Sequence, residues 1–135
     1  MDEEKQQEVR DWLKRADEYI RAAEHEFNGE FYARSVSTSY YAMFYAATAA
    51  LLSVGVERSK HSGVVSAFGE YFIKTEKLDS RLGRILRRTM GDRETSDYDS
   101  APIVDQKLAK QHLEDAKDFV GEVTRHLTNQ GVIGE

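Results

Sequence analysis

The sequence contains no cysteine and only one proline, Pro102. Without cysteine the chain can form neither a disulfide framework nor a thiolate metal site, a composition that suits a reducing cytoplasm. Because one proline in 135 residues leaves long helices uninterrupted, and apolar residues recur at helical spacing, the sequence predicts an all-α fold without a sheet. The length fits a single domain spanning residues 1–135.

Long apolar runs and export signals are also missing. The most apolar stretch, from Ala42 to Val56, is 15 residues long and contains Thr48 and Ser53. A membrane-spanning helix needs about 20 apolar residues, so we interpret this stretch as a buried helix. The first residues, MDEEKQQEVRDW, are acidic and polar where a secretory signal is basic and then apolar. The sequence therefore predicts a cytoplasmic protein.

The net charge is −5, but the charges are unevenly distributed along the chain. Residues 1–30 and residues 92–135 each carry ten acidic and five basic side chains, whereas residues 31–91 carry four acidic and nine basic ones. An acidic chain is not expected to bind nucleic acid over its whole surface, but a basic centre leaves a local phosphate site open. The four histidines are scattered and no HExxH-like spacing occurs, so the sequence predicts no metal site and no cofactor.

Apolar residues at helical spacing predict five helices, with no repeat and no low-complexity tract. Taken in order, the helices are expected over the stripe from Val9 to Phe27, over about residues 31–54, around Val64 to Phe72, around Leu78 to Leu86, and around Leu108 to Leu127. We expect Ser59 or Ser62 to cap the third helix, and Asp79 or Ser80 to cap the fourth. Residues 91–102, GDRETSDYDSAP, are expected to form a loop or a frayed helix end.

The second helix is unusual because it has almost no polar face. Tyr40, Phe44 and Leu51 fall on one stripe, Tyr41 and Tyr45 fall on a second, and alanines cover a third side. We therefore expect this helix at the centre of a bundle, with a neighbour close to its alanine side. Tyrosine rings can pack in a core while their hydroxyls reach a cleft. Two interpretations of these tyrosines remain open, ordinary core packing and direct contact with a ligand.

The fourth helix carries a basic ridge formed by Lys77, Arg81, Arg84 and Arg88, at spacings of four, three and four residues. Ridges of this kind are commonly solvated faces that bind nothing. Neutralisation of phosphates supplies most nonspecific affinity for nucleic acid, so the ridge is also a candidate for phosphate or RNA contact.

The segment YYAMFYAATAALLSVGV, followed by KHSGV, then a basic helix, then an arginine with a DY pair, resembles the HEPN domain in its branch of small stand-alone prokaryotic proteins. The resemblance extends from about Val9 to Leu127. It implies an antiparallel bundle of four long helices with a shorter fifth, and usually a homodimer. It also implies a gene neighbour encoding a minimal nucleotidyltransferase, and often a toxin-antitoxin pair whose HEPN member is a metal-independent ribonuclease.

The chain departs from that family at one point. Ribonuclease-active HEPN members carry an arginine followed, after four to six residues, by a histidine that moves a proton while the arginine stabilises charge on phosphorus. Here Arg93 is followed after four residues by Tyr98, whose unperturbed pKa of about 10 makes it a poor base at pH 7. Lys107 and His112 have the spacing but the wrong cation, and we interpret them as a surface pair. Whether the protein is an enzyme therefore stays open.

His61 is the remaining candidate for proton transfer, because it precedes a predicted helix start where N–H groups can hold a phosphate. Its alternative role is part of a capped turn, and Arg93 has the alternative of pairing with Asp97 or Asp99. We list as candidate catalytic residues His61, Arg93 and Tyr98, and as candidate phosphate-binding residues Lys60, His61, Ser62, Arg84, Arg88 and Arg93.

Two classes of function follow from the sequence. The first is a HEPN partner of a nucleotidyltransferase that binds nucleotide or RNA phosphate with weak or no ribonuclease activity. The second is a structural helical dimer that acts only as a protein-interaction module. In both, we expect a homodimer through the first, second or fifth helix, with a total buried area of about 1,200 Å² or more.

Overall fold

The computed structural model describes residues 1–96 and 104–134 and contains helices without a strand in those ranges. The helices are α1 (Glu3–Asn28), α2 (Tyr32–Ser53), α3 (His61–Phe68), α4 (Ser80–Ser96) and α5 (Gln106–Asn129), and α3 continues into a π-helical turn over Gly69–Ile73. The predicted all-α bundle is confirmed. Four of its helices are long and the short one is the third along the chain.

A helical hairpin of α1 and α2 forms one half of the bundle. Asp2 caps α1, because its Oδ1 accepts a hydrogen bond of 2.8 Å from the backbone N–H of Lys5. Asn28 ends the helix and Gly29 follows, one residue beyond the apolar stripe that ends at Phe27. Glu30 then takes a φ of 68°, a left-handed conformation that non-glycine residues adopt rarely, and this reverses the chain before α2 begins.

The helix α2 lies at the centre of the molecule and packs against α1, α3, α4 and α5. Its alanines at positions 42, 46, 49 and 50 are fully buried within the single chain, as are Tyr40 and Met43. Small side chains at these positions allow neighbouring helices to approach closely. The expectation of a central helix is therefore confirmed, and its alanine side is already covered without a second copy of the chain.

The caps of α3 and α4 differ in how well the sequence predicted them. The N-cap position of α3 is Lys60, in an extended conformation and without a side-chain hydrogen bond, so neither Ser59 nor Ser62 caps this helix. Asp79 does cap α4, since its Oδ1 accepts a hydrogen bond of 2.9 Å from the backbone N–H of Arg81.

The C-terminal half of α4 is more ordered than the sequence suggested. Positions 91–96 are helical, although the sequence predicted a loop or a frayed end from Gly91 onward. The reason is a tertiary contact: His112 of α5 is fully buried against Thr89 and Asp92 of α4. The interpretation of Lys107 and His112 as a surface pair is therefore wrong for His112.

Ion pairs also join α4 and α5, closer to the start of α4 than the His112 contact. Arg81 forms two hydrogen bonds of 3.0 Å with the carboxylate of Asp118, and Arg88 donates one of 2.6 Å to Asp115. Leu108, the first apolar residue of the spacing that predicted the fifth helix, is 38% exposed near the start of α5. Within the described ranges, no helix combines the length and the apolar character needed to cross a membrane.

Candidate phosphate site

An aromatic cluster on one side of α2 forms the floor of the candidate site. The rings of Tyr40 and Tyr41 meet edge to face with centroids 5.3 Å apart, and the ring of Phe44 lies 6.1 Å from that of Tyr40. Tyr40 is fully buried, whereas Tyr41 and Phe44 are half-buried. One edge of the cluster therefore belongs to the core and the other faces outward.

His61, the first residue of α3, packs onto this aromatic cluster. Its ring centroid lies 4.3 Å from that of Phe44, 5.6 Å from that of Tyr41 and 5.8 Å from that of Tyr40. Burial lowers the pKa of His61 below its ordinary 6.5, and the charge of Arg93 lowers that pKa further, while Glu94 opposes the shift. His61 is therefore mainly neutral at pH 7, which is the form that can accept a proton.

Arg93 reaches the same aromatic cluster from α4. It follows Leu86 by seven residues and Thr89 by four, so it lies on the line of α4 that faces the core. Its Cζ lies 5.0 Å from the ring centroid of Tyr40 and 5.6 Å from that of Tyr41, which is cation–π geometry. His61 and Arg93 thus contact the same two tyrosines, although they come from different helices.

The hydroxyl of Tyr40 is a third polar group at this position. It is buried and has no hydrogen-bond partner among the residues that the structure describes. Burial raises the pKa of Tyr40 to about 12, although the neighbouring Arg93 acts in the opposite direction. The hydroxyl therefore keeps its proton at neutral pH and is a hydrogen-bond donor that no described residue uses.

The other predicted phosphate ligands lie at different positions. Lys60 and Ser62 flank His61 in the chain and are exposed. Arg84 is exposed and donates a hydrogen bond of 3.2 Å to Ser80, while Arg88 pairs with Asp115 as described above. Tyr98, together with Asp97 and Asp99, lies outside the described residues. Within those residues, no cluster of three or more histidine, aspartate or glutamate side chains has the arrangement of a metal site.

An open cleft of about 500 Å³ lies between α3 and α4. Its walls include Ser62, Val65 and Ser66 of α3 and Arg87, Met90 and Glu94 of α4. Ser62 was a candidate from its place beside His61 in the sequence, whereas Arg87 and Glu94 were not among the predicted site residues. Their spacing of seven residues, with Met90 between them, puts them on one side of the helix and was the available signal.

Comparison with known proteins identifies the family. Residues 9–127 match the HEPN domain. This protein belongs to the HEPN family. A relative from Methanocaldococcus jannaschii named "Putative toxin" is 32% identical over 126 residues, which cover 93% of this chain and 86% of the relative. A UPF0332 protein of Thermotoga maritima is 33% identical over 122 residues, covering 90% of this chain and 92% of the relative.

A second Methanocaldococcus jannaschii protein named "Putative toxin" is 29% identical over 121 residues, covering 90% of each chain. The HEPN resemblance drawn from the sequence is thus confirmed, over the residues for which it was stated. Over nearly its whole length, this HEPN protein is related to small prokaryotic proteins that carry either the name UPF0332 or the name toxin.

Proposed function

We propose that this HEPN protein is one member of a toxin-antitoxin-type module, and that it binds nucleotide or RNA phosphate between His61 and Arg93 with weak or no ribonuclease activity. The observation that supports this proposal is the convergence of His61 and Arg93 over Tyr40 and Tyr41. The names of the two toxin-named relatives support the module.

The phosphate position is defined by three donors of different kinds. The guanidinium of Arg93 supplies a fixed charge and a planar set of N–H donors. The Tyr40 hydroxyl adds a neutral donor, and Lys60 adds an exposed charge next to His61. Arg84 and Arg88 belong to another side of α4, so we assign them to solvent exposure and ion pairing instead of this phosphate position.

Cleavage is expected to be weak because RNA hydrolysis needs two groups that carry a proton. Breaking an RNA phosphodiester needs a base for the ribose hydroxyl and an acid for the leaving oxygen, and general acid and base catalysis contributes about 10² to 10⁴-fold. Neutral His61 can serve as one carrier, and Tyr98 stands in the chain where active relatives have a histidine. The proximity of His61 to Arg93 also favours a second candidate function, slow metal-independent cleavage at the same position.

The proposed partners are a minimal nucleotidyltransferase and a second copy of this chain. The Tyr98 hydroxyl, two residues from the end of the described part of α4, is a proposed acceptor of a nucleotide from that enzyme. Intact mass before and after incubation with the enzyme and ATP tests the transfer, and an unchanged mass would reject it. The competing hypothesis is a structural dimer with no nucleotide site.

The deciding experiment measures binding and cleavage of labelled RNA by the wild type, His61→Ala, Arg93→Ala and Arg21→Ala, with and without a chelator. Arg21 is the matched control, because it is an exposed arginine of α1 that pairs only loosely with Asp17 at 3.8 Å. Loss of the Arg93 charge should reduce RNA affinity roughly 10- to 100-fold. It should also lower the slope of log affinity against log salt concentration by about the amount expected for one phosphate contact. Arg21→Ala should retain wild-type affinity.

Two results would contradict the proposal. Equal RNA affinity of Arg93→Ala and Arg21→Ala would remove the phosphate position and favour the protein-interaction module. Rapid cleavage by the wild type, lost in His61→Ala and Arg93→Ala but not in Arg21→Ala, would show that one histidine suffices for catalysis.

A further inference from the structure

The cleft between α3 and α4 lies directly next to the phosphate position. Ser62 on one wall follows His61 in the chain, and Glu94 on the other wall follows Arg93. The Glu94 carboxylate is close enough to raise the pKa of His61 against the lowering effect of Arg93. The cleft is therefore within reach of a further group of a ligand whose phosphate lies between His61 and Arg93.

We propose that this cleft is a nucleobase subsite, in which Glu94 selects bases that carry an exocyclic amino group and disfavours uracil. The inference rests on the proposed function, since it places the base of the same nucleotide or RNA whose phosphate Arg93 contacts. It goes beyond that function because it names the part of the ligand that is recognised and the residue that recognises it.

The size and lining of the cleft fit a planar base. Its volume of about 500 Å³ is within the usual range for a small-molecule site. Val65 and Met90 offer apolar surface to the faces of a ring, and Ser62 and Ser66 offer hydroxyls to its edge. Gly91 lines the same cleft, and a side chain added there would meet nothing within 4 Å, so the floor is open.

The preference follows from the chemistry of the carboxylate. Ionised Glu94 only accepts hydrogen bonds, and it is exposed on α4 where it stays in contact with solvent. Cytosine presents an N4 amino group and adenine an N6 amino group, which a carboxylate accepts. Uracil presents carbonyl oxygens on both sides of its single N–H, and these oxygens repel a carboxylate. Arg87, about 10 Å away along two turns of α4, can neutralise a second phosphate.

The test compares the dissociation constants of fluorescent RNA octamers of cytidine and of uridine. The two bases differ at C4, an amino group in cytosine and a carbonyl in uracil, and at N3, which carries a hydrogen only in uracil. We expect the wild type to bind the cytidine octamer about tenfold more tightly than the uridine octamer. In Glu94→Gln the amide both donates and accepts, so this ratio should fall to within about twofold. We compare the ratio of the two dissociation constants, and not either constant alone, because loss of the negative charge of Glu94 strengthens binding of both octamers.

Glu18→Gln provides the matched control, since Glu18 is an exposed glutamate of α1. It should keep the wild-type ratio, and both variants should keep the wild-type melting temperature because the two side chains are exposed. Equal affinity of the wild type for both octamers, or a ratio unchanged in Glu94→Gln, would overturn the base subsite. In that case, weaker binding of both octamers by Arg93→Ala would still support the phosphate position. Absence of binding to either octamer would overturn both.

Discussion

The Nε2 atom of buried His112 lies 2.7 Å from Oδ2 of Asp92, and its Nδ1 atom lies 3.0 Å from the hydroxyl of Thr89. These contacts tie α5 to the part of α4 that carries Arg93, the residue next to Asp92 in the chain. The Thr89 hydroxyl also bonds the carbonyl of Ile85 at 2.8 Å. A side chain on α5 therefore fixes the helical turn from which Arg93 points to the tyrosines.

The first prediction concerns this network. Replacing His112 by Leu removes both contacts and leaves Thr89 and Asp92 without their partner, so the free energy of unfolding should fall by about 1 to 3 kcal/mol. Urea denaturation measures the loss, and His25→Leu, at an exposed position of α1, is the control. A double-mutant cycle with Asp92→Asn should show coupling. Additivity within about 0.3 kcal/mol would mean that the Asp92 contact contributes nothing.

The second prediction separates stability from binding at Tyr40. Its buried hydroxyl has no partner within the described part of the chain, so Tyr40→Phe should leave the melting temperature unchanged or slightly higher. If the hydroxyl donates to a bound phosphate, RNA affinity should fall about tenfold. Tyr32→Phe, at the start of α2, should change neither quantity. A destabilised Tyr40→Phe with normal affinity would assign the hydroxyl a structural role only.

The third prediction concerns Phe44, which shares one stripe of α2 with Tyr40 and Leu51. The side chain is half-buried and packs on His61, so we expect Phe44→Ala to cost about 1 to 3 kcal/mol. Leu51→Ala, on the fully covered part of the same helix, should cost about 2 to 5 kcal/mol. Thermal or urea unfolding gives both values, and a larger loss for Phe44→Ala would contradict this ranking.

The fourth prediction is a dependence of stability on pH. Burial lowers the pKa of His61 and of His126, with Arg93 and Lys77 respectively adding to the effect. Near pH 6.5 and somewhat below, the unfolded chain therefore binds more protons than the fold does, so the free energy of unfolding rises with pH through this window. Asp79 has a lowered pKa, chiefly through the Arg81 backbone N–H, so the stability it contributes is fully present above about pH 3.8 and is lost as the pH falls below that value.

His61→Asn should flatten that rise when unfolding by urea is measured between about pH 5 and pH 7.5. His25→Asn, at an exposed position, should keep the wild-type slope. An unchanged slope in His61→Asn would show that the histidine titrates alike in the folded and unfolded chains.

The fifth prediction is the homodimer. Since the alanine side of α2 is covered within one chain, a second copy has to use another surface, and the large exposed apolar side chains include Phe31, Val54 and Leu108. Light scattering at micromolar concentration should give a dimeric mass. Phe31→Ser and Leu108→Ser are the variants that should reduce it. A monomeric wild type would remove the dimer from the proposal.

Helical periodicity was sufficient for much of the fold but not for its longest-range contacts. The C-terminal end of α1 and the buried faces of α2 follow from local patterns, because the apolar spacing of each helix depends only on neighbouring residues. The start of α1 at Glu3 lies before the apolar stripe and was not predicted. Helix α4 continues past Gly91 because its contacts come from α5, which no local pattern reports. The low helix propensity of glycine was outweighed there by tertiary packing.

The candidate site was likewise predictable only in part, because its residues come from separate helices. His61 and Arg93 were selected from the sequence for their chemistry, but they are 32 positions apart and meet only because α3 and α4 pack on one side of α2. Glu94 and Arg87 looked like ordinary charges on an exposed helix. Only the position of α3 opposite them shows that they border a cleft.

The fully buried alanines of α2 constrain how this chain can evolve. A larger side chain at Ala46 or Ala49 has to displace a neighbouring helix, at a cost of about 1 to 3 kcal/mol out of a usual total stability of about 5 to 15 kcal/mol. Exposed positions such as Ser66 and Arg87 carry no such cost. Descendants of this protein can therefore acquire a different ligand preference through the surfaces of α3 and α4, while the interior of α2 stays nearly fixed.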